Sequence, residues 1–258
     1  GLIVPDKDRL SGYLENISYY HLSAYFKAFQ RTADVFNKNV TFDDVINVYE
    51  FDKKLRLLML DVTERIEKSF KCRVVYNISL TTNDSHWHSK TSSYVNDESF
   101  NKYIKDLLEE AKSSKDIDLK NYYRKYSSPE YPPAWTFFES LSFGQLVSFY
   151  RNFNSSNKKV VARTFGISHK YITSWMYGLS VVRNISAHYA RLWDRDLFAT
   201  MMLDHGNYKD LFNRERPNCI YNYLVVAHIF MHKINPTSAW LVRLVGIINE
   251  HEIDVALM

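Results

Sequence analysis

The sequence predicts an all-α fold, and three observations support this prediction. Glycine and proline are scarce, at 7 and 6 of 258 residues, so few positions favour turns. Apolar residues make up 46% of the chain and charged residues 24%, which is ordinary globular composition. One long segment repeats its apolar residues at helical spacing. A chain of this length can bury a large core, either as one domain or as two closely packed helical lobes.

The longest periodic segment predicts a single long central helix from about residue 42 to 80. Thr41 stands three residues before Asp44, which predicts a capping box at the start of this helix. The apolar positions define one buried face: Val45, Val48, Leu55, Leu58, Val62, Ile66, Phe70 and Val74. The opposite face carries charged pairs at i,i+4, which we interpret as a solvated surface: Asp61 and Arg65, Glu64 and Lys68, and Glu67 and Lys71.

Shorter helices separated by polar segments are expected elsewhere. An aromatic helix is predicted over 14–30, a loop over 81–97, and two charged surface helices over 98–126. The segment 127–133 contains three prolines and predicts a boundary between an N-terminal lobe, 1–128, and a C-terminal lobe, 129–258. We expect the two lobes to form one compact unit. Further helices are predicted over 134–153, 157–165, 168–190, 218–233 and 237–251.

Charge and cysteine content limit the classes of protein. The formal net charge of +4 is compatible with a nucleic-acid partner but does not require one. Cys72 and Cys219 lie far apart, which predicts neither a disulfide framework nor a zinc cluster. No stretch approaches the ~20 apolar residues of a membrane span, and the first residues do not resemble a signal peptide. We therefore expect a cytoplasmic protein with no membrane partner.

Common catalytic motifs are missing from the sequence. It contains no Gly-rich phosphate loop and no GxSxG, HExxH or EF-hand pattern. His86 and His88 form one close pair and His228 and His232 another, but neither pair has a further ligand at metal-binding spacing. We expect these histidines to be structural, and we expect neither a metal nor another cofactor.

The helix predicted from residue 168 onward carries the most informative polar residues. Asn184, His188, Arg191 and Arg195 follow one another at steps of four, three and four, which places them on one helical stripe. A carboxamide, an imidazole and two guanidiniums on one face predict a phosphate site, with Arg191 and Arg195 binding RNA. The opposite stripe is mostly apolar: Ile172, Trp175, Met176, Leu179, Val182, Ser186, Tyr189 and Trp193.

Arg183 does not fit that polar stripe. A step of five residues places Arg183 and His188 about 140° apart on a straight helix. The two side chains can share a pocket only if the helix is distorted or if a second copy of the chain completes the site. The second alternative predicts a site at a twofold interface.

The residue types suit RNA cleavage. An imidazole can take the proton of a ribose 2′-OH at neutral pH, and the resulting alkoxide attacks the adjacent phosphorus. A guanidinium stabilises the charge that builds on the phosphoryl oxygens. The products are a 2′,3′-cyclic phosphate and a 5′-OH, no metal is required, and DNA lacks the reacting hydroxyl. Arg and His at this spacing are by themselves a weak signal.

Four ordered blocks in residues 1–200 resemble the Abi-like family, the AbiD and AbiF type of bacterial phage-defence proteins. Residues 17–25 (ISYYHLSAY) resemble the family's YYRLSGY, and residues 51–58 (FDKKLRLL) with 64–67 (ERIE) resemble FDRKLR…ERIE. Residues 133–135 (PAW) with 139–144 (ESLSFG) resemble PxW…ExxSFG, and residues 182–188 (VRNISAH) with 191–195 (RLWDR) resemble VRNxxAHHxRLWNR.

The family resemblance implies a fold, a catalytic group and an activity, which the spacing of Arg183 and His188 alone does not. The Abi-like family is similar to HEPN nucleases, which are helical bundles that often dimerise and cut RNA through an R-N-x3-H motif. It therefore implies a HEPN-like bundle with additional helices, and a catalytic group of Arg183, Asn184 and His188. It further implies a metal-independent endoribonuclease of a phage-defence or toxin–antitoxin system. The implied partners are an RNA substrate, a second copy in a homodimer, and a small RNA or a protein antitoxin.

Some residues depart from the family pattern, and other functions stay open. Tyr189 replaces the family's second His, and Asp194 replaces its Asn. A sister HEPN group prefers Tyr two positions after the motif His, where this chain has Ala190, so membership of that group is disfavoured. The alternatives are a non-catalytic RNA- or protein-binding module and a purely structural partner in a defence complex.

Overall fold

The computed structural model describes residues 1–32, 34–255 and 258, and it confirms the predicted all-α fold. Eleven α-helices, four short 3₁₀ turns and one antiparallel hairpin, β1 (Gln30–Thr32) with β2 (Val35–Phe36), form the regular structure of this described part. The helices are α1 (Lys7–Asn16), α2 (Tyr19–Phe26), α3 (Phe42–Thr82), α4 (Glu98–Lys112), α5 (Ile117–Lys125), α6 (Ala134–Glu139), α7 (Phe143–Asn152), α8 (Ser155–Phe165), α9 (His169–Ala187), α10 (Ile220–Ile234) and α11 (Trp240–Glu250).

Helix α3 confirms the predicted long central helix. Thr41 caps its start: the Thr41 hydroxyl accepts the Asp44 N–H at 3.2 Å, and the Asp44 carboxylate accepts the Thr41 N–H at 2.8 Å. All eight apolar positions of the predicted face are buried. The 41 residues of α3 extend over roughly 60 Å at the rise of an α-helix. Asn83 ends the helix in the left-handed conformation.

Helix α3 is also the support on which the motif helix rests. Helices α2, α6, α8, α9, α10 and α11 all pack against it. Its buried side chains belong to one hydrophobic core that also contains side chains of α2 and α11. Helix α9 packs closely against the side chain of Met201 at Gly178. A Cβ at this position would lie only 2.5 Å from the sulfur of Met201. The position of α9 is therefore set by α3 on one side and by the Gly178 contact on another.

The predicted helix over 14–30 is wrong, because two helices and a hairpin occupy that region. Helix α1 ends at Asn16, Ile17 is extended, and Ser18 starts α2 by accepting the His21 N–H at 3.3 Å. A serine side chain that caps a new helix competes with continuation of the old one. The chain then leaves α2 for β1 and β2.

The predicted helix over 134–153 is also wrong, because α6 and α7 are separate helices. A capping box starts α7, with the Gln145 N–H bonded to the Ser142 hydroxyl at 3.3 Å and the Ser142 N–H bonded to the Gln145 side chain at 2.8 Å. Between the helices, the buried ammonium of Lys71 donates to the carbonyl oxygens of Glu139 at 3.3 Å and Leu141 at 3.2 Å. These bonds satisfy carbonyl oxygens that would accept backbone N–H groups if one helix continued through this region.

The remaining helices agree with the sequence to within a few residues, apart from the end of α9. Two of the three charged pairs on α3 form, Asp61 with Arg65 at 3.1 Å and Glu64 with Lys68 at 2.6 Å. The predicted pair of Glu67 with Lys71 on the solvated face is wrong, because the Lys71 side chain turns into the core towards the α6–α7 junction. In the described part of the chain, no helix combines the length and the apolar character needed to cross a membrane.

Candidate functional site

The motif helix ends earlier than the sequence predicts. Helix α9 stops at Ala187, His188 is its C-cap, and Tyr189 adopts a left-handed φ of 60°. Arg191 and Arg195 therefore lie in the following segment, and the predicted stripe of four polar residues is wrong beyond His188. A left-handed residue ends a helix because it turns the chain out of the helical path. Tyrosine is not a usual residue for this conformation, so its residue type does not indicate a left-handed backbone.

The apolar stripe of α9 is confirmed as far as Ser186. Ile172, Trp175, Met176, Leu179, Val182 and Ser186 are all buried. Tyr189 does not belong to this stripe, because its side chain is 73% exposed. Trp193 is buried as predicted, although it lies beyond the helix. The buried face holds α9 against the core and leaves the motif residues at its surface.

Arg183 reaches the polar face through its own side chain. The Arg183 Nη1 donates to the Asn184 Oδ1 at 3.0 Å. The helix continues to its end, where the His188 N–H still bonds to the Asn184 carbonyl at 3.0 Å. The separation of about 140° between Arg183 and His188 is therefore retained. Asn184 connects the group, since it bonds to Arg183 and lies one helical turn from His188.

The imidazole of His188 and the carboxamide of Asn184 are both exposed at the end of α9. Within the described residues, the His188 ring makes no hydrogen bond, and Arg183 bonds only to Asn184. Three polar groups with unused donors and acceptors thus lie at one exposed helix end. The structure brings Arg183 and Asn184 together on α9 and places His188 at the C-cap, about 140° from Arg183 around the helix axis. Arg191 and Arg195 lie in the segment that follows.

Glu67 is a neighbour of Arg183 that the sequence reasoning missed. Burial raises the pKa of this α3 carboxyl, while the charges of Lys71 and Arg183 lower it. Glu67 therefore lies near enough to the guanidinium for the two charges to interact. Its i,i+4 spacing to Lys71 had indicated a surface pair, and only the packing of α3 against α9 reveals its position.

The segment after α9 is held by the buried carboxylate of Asp52. Its Oδ1 accepts the backbone N–H of Leu192 at 3.0 Å and of Trp193 at 2.8 Å. Its Oδ2 accepts the Tyr25 hydroxyl at 2.7 Å and pairs with the Arg56 guanidinium. Burial, followed by the charge of Asp52, raises the pKa of Tyr25 well above its ordinary value. Three of the four sequence blocks therefore meet at one carboxylate.

Both residues that depart from the family pattern have a left-handed backbone conformation. Tyr189 has φ 60° and Asp194 has φ 45°. His, Asn and Asp are enriched at such positions, so the family's His and Asn suit this backbone, and Asp194 suits it too. Asp194 also pairs with Arg216 at 3.3 Å. Tyr189 is the residue less suited to its backbone.

Two cavities flank the segment in which α9 ends. The first has a volume of about 710 Å³, and the polar and aromatic residues that matter in its lining are Asn16, Ser18, His21, Lys53, Arg56 and Tyr189. The second has a volume of about 350 Å³ and is lined by Tyr20, His21, Tyr25, Arg191 and Arg195, among others. His21 lines both cavities, so they adjoin. His188 lines neither of them, although its neighbours on both sides do.

The histidine pairs belong to elements other than the motif helix α9. His88 is buried with its ring stacked on Phe137 at a centroid distance of 5.0 Å, and burial lowers the pKa of His88 to about 3. His228 lies 6.0 Å from the Trp240 ring, and burial, followed by the charge of His232, lowers the pKa of His228. Among the residues that the structure describes, no three His, Cys, Asp or Glu side chains could hold a metal ion together.

The fold and the site define an all-α protein whose R-N-x3-H motif lies at the end of a helix packed on a long central helix. The model of the Abi-like protein family matches residues 12–194, well over half of the chain, and the protein belongs to this family. Membership implies a part in abortive infection, a form of phage defence. Comparison with curated proteins and with solved structures finds no match.

Proposed function

We propose that the protein is a metal-independent HEPN endoribonuclease that cuts RNA during phage defence, with Arg183, Asn184 and His188 as its catalytic group. The observation that supports this proposal is the cluster at the exposed end of α9. There the Arg183 guanidinium bonds to Asn184 at 3.0 Å, and His188 lies one turn beyond Asn184 with an imidazole that makes no hydrogen bond to any described residue. The family's part in abortive infection gives RNA cleavage a biological purpose, since destroying RNA arrests an infected cell.

The proposed reaction needs one proton acceptor and one cation at the phosphate. The His188 imidazole takes the proton of a ribose 2′-OH, and the oxygen forms a bond to the adjacent phosphorus. The bond from phosphorus to the 5′-oxygen breaks, that oxygen takes up a proton from water, and His188 releases its proton to the solvent. Arg183 donates to the phosphoryl oxygens as their charge grows. One product ends in a 2′,3′-cyclic phosphate and the other begins with a 5′-OH.

Cleavage of RNA by the purified protein tests this proposal. We expect cleavage to proceed in EDTA and to fall by at least about a hundredfold in Arg183→Ala and in His188→Ala. Arg163→Ala and His232→Ala remove exposed side chains on other helices and should leave it unchanged. The new 5′ ends should accept phosphate from a polynucleotide kinase without prior dephosphorylation. Failure of the wild type to cleave, or cleavage that survives both motif substitutions, would contradict the proposal.

We also infer that the active form is a homodimer. Arg183 and His188 keep their separation of about 140° on an uninterrupted helix, so a second copy offers the simplest way to bring a guanidinium and an imidazole to one phosphate. Asn184 and His188 are exposed, as residues that meet a second copy must be in the single chain. Light scattering should give twice the mass of the chain. A monomer with full activity at the same concentration would refute the dimer.

A non-catalytic RNA- or protein-binding module is the second candidate. One observation favours it, because His188 lines neither cavity beside α9 whereas Arg191 and Arg195 line one of them. This candidate predicts salt-sensitive RNA binding that His188→Ala leaves unchanged, and intact RNA in cells that overexpress the protein. A small RNA or a protein antitoxin remains the expected regulator under either candidate.

A further inference from the structure

We propose that the two cavities beside the end of α9 form one groove that binds single-stranded RNA, with phosphates at Arg191 and Arg195 and bases against Tyr20 and Tyr189. We name it the α2–α9 groove, and it comprises the two cavities that share His21. The choice of RNA as the ligand rests on the proposed function. The groove adds the form of the RNA and the residues that hold it.

The shape of the groove suits an extended chain. The cavities of about 710 and 350 Å³ each fall within the size range of ligand-binding sites, and they adjoin at His21. The first runs between the α1–α2 junction and α3, and the second runs between α2 and the segment after α9. A strand that follows both cavities passes Ala187 and Ala190, the residues on either side of the motif's end. The groove therefore runs beside the end of α9, where His188 is the C-cap.

The charge of the groove suits a polyanion. Among the described residues, no Asp or Glu lines either cavity, whereas four Lys and Arg residues do. Arg56 pairs with Asp52 and Lys53 with Glu50, so the charge available to a ligand comes from Arg191 and Arg195. Within the described residues, neither of these two arginines forms an ion pair.

The guanidinium of Arg191 is the strongest single indication of a ligand. Its Nη1 is buried and has no hydrogen-bond partner in the described part of the chain. A buried donor without an acceptor is unfavourable, and a charged donor more so. Arg191 lines the second cavity, so a rotation of its side chain would bring this nitrogen to an RNA phosphate there, which supplies the missing acceptor and the opposite charge.

Two tyrosines at the groove are placed as stacking platforms. The side chains of Tyr20 and Tyr189 are 89% and 73% exposed, which is unusual for large aromatic side chains. Bases of single-stranded RNA stack on such rings. Tyr189 also adopts a left-handed φ that bulky residues rarely take, and backbone strain of this kind persists where a side chain serves a function. In a duplex the bases stack on one another, so the two tyrosine rings cannot stack on them. The groove should therefore bind single-stranded RNA more tightly than duplex RNA.

RNA binding in a His188→Ala background tests the groove without cleavage. We measure the fluorescence anisotropy of a labelled RNA oligomer that cannot fold on itself, and of the same oligomer annealed to its complement. The single strand should bind at least about tenfold more tightly than the duplex. Arg191→Gln should weaken binding of the single strand by at least about tenfold. Tyr20→Ala and Tyr189→Asn should each weaken it by about fivefold or more.

Matched controls come from α5 and the residue after it, away from the groove. Arg124→Gln and Tyr126→Ala remove exposed side chains of the same types and should leave binding unchanged. Tyr20 is so exposed that its loss cannot prevent folding, which keeps the test informative if Arg191→Gln folds poorly. Equal binding of duplex and single strand, unchanged binding in the groove variants, or tighter binding of a labelled acidic peptide would each overturn the proposal.

The groove and the proposed function can fail independently. If the wild type cleaves RNA and His188→Ala does not, but the groove variants bind RNA normally, then the groove is wrong and the endoribonuclease stands. If the groove variants lose single-stranded RNA while no condition yields cleavage, then the groove stands and the endoribonuclease is wrong.

Discussion

At the scale of single residues, the carboxylate of Asp52 joins the N-terminal helices to the segment after α9. Asp52→Ala removes the ion pair of the buried Arg56 and leaves the N–H groups of Leu192 and Trp193 without their acceptor. An unpaired buried charge is strongly unfavourable, so we expect the free energy of unfolding to fall by about 3–5 kcal/mol. Chemical denaturation measures this change.

The matched control for Asp52 removes both charges. In the double variant Asp52→Ala/Arg56→Met no unpaired charge remains, so we expect it to regain a large part of the lost stability. If the single variant is as stable as the wild type, the ion pair does not hold this segment. If the double variant loses as much as the sum of both single variants, the two side chains act independently.

His88 should make the stability of the protein depend on pH. Its ring is buried without a hydrogen-bond partner among the described residues, and burial lowers its pKa to about 3. In the unfolded chain an ordinary histidine takes up a proton below a pKa of about 6.5. The folded state is therefore penalised as pH falls from about 6.5 towards 3, and its free energy of unfolding should fall by about 2 kcal/mol between pH 7 and pH 5.

The variant His88→Phe isolates this contribution. A phenylalanine ring can keep the stacking on Phe137 and cannot take up a proton. Other histidines also have lowered pKa values and contribute to the pH dependence of the wild type. Denaturation curves at pH 7 and pH 5 therefore give the change in free energy of unfolding for each protein, and the difference between the two changes is the contribution of His88. The same dependence on pH in both proteins would show that His88 does not resist protonation in the folded state.

At the scale of elements, the end of α9 combines backbone strain with the proposed RNA contact. Tyr189 is exposed and has φ 60°, so Tyr189→Asn removes few packing contacts and relieves the left-handed backbone. We expect the free energy of unfolding to rise by about 0.5–1 kcal/mol, as thermal denaturation can measure. The same variant should bind single-stranded RNA less tightly. A loss of stability would mean that the ring packs in the fold, contrary to its exposure.

Local signals explain which elements could be predicted. Helix α3 follows from its capping box at Thr41 and from eight apolar positions, all of which depend on neighbours in sequence. The break between α6 and α7 depends partly on Lys71, which reaches carbonyl oxygens about 70 residues away in sequence. The capping box of Ser142 and Gln145 is a local signal for the start of α7, whereas the bonds from Lys71 to the end of α6 depend on packing and leave no local pattern.

The candidate site, like the helices, was predicted correctly only where residues close in sequence specify it. The adjacency of Arg183, Asn184 and His188 follows from helical spacing and from the family blocks. The position of Arg191 depends on the left-handed Tyr189, whose residue type does not indicate that conformation. Glu67 and His21 reach the site only through the packing of α3 and α2, and spacing along the chain contains no such information.

At the scale of the whole molecule, the proposed homodimer implies that two chains build each site. Helix α3 holds α9 so that the motif end is exposed, and the helix keeps Arg183 and His188 on different sides. If each site takes its arginine from one chain and its histidine from the other, a mixed dimer of Arg183→Ala and His188→Ala has one intact site. Its activity should then be about half that of the wild-type dimer, although each variant alone is inactive.

The reciprocal mixed dimer makes this test decisive. A wild-type chain paired with the double variant Arg183→Ala/His188→Ala lacks one residue at each two-chain site and should be inactive. If a single chain builds the site, the outcomes exchange: this second dimer keeps about half of the activity and the first has none. Co-expression with two different affinity tags isolates both mixed dimers, and the RNA cleavage assay compares them. Activity in the second dimer alone would contradict the two-chain site, because it would show that the side chain of Arg183 reaches the phosphate beside His188 of its own helix.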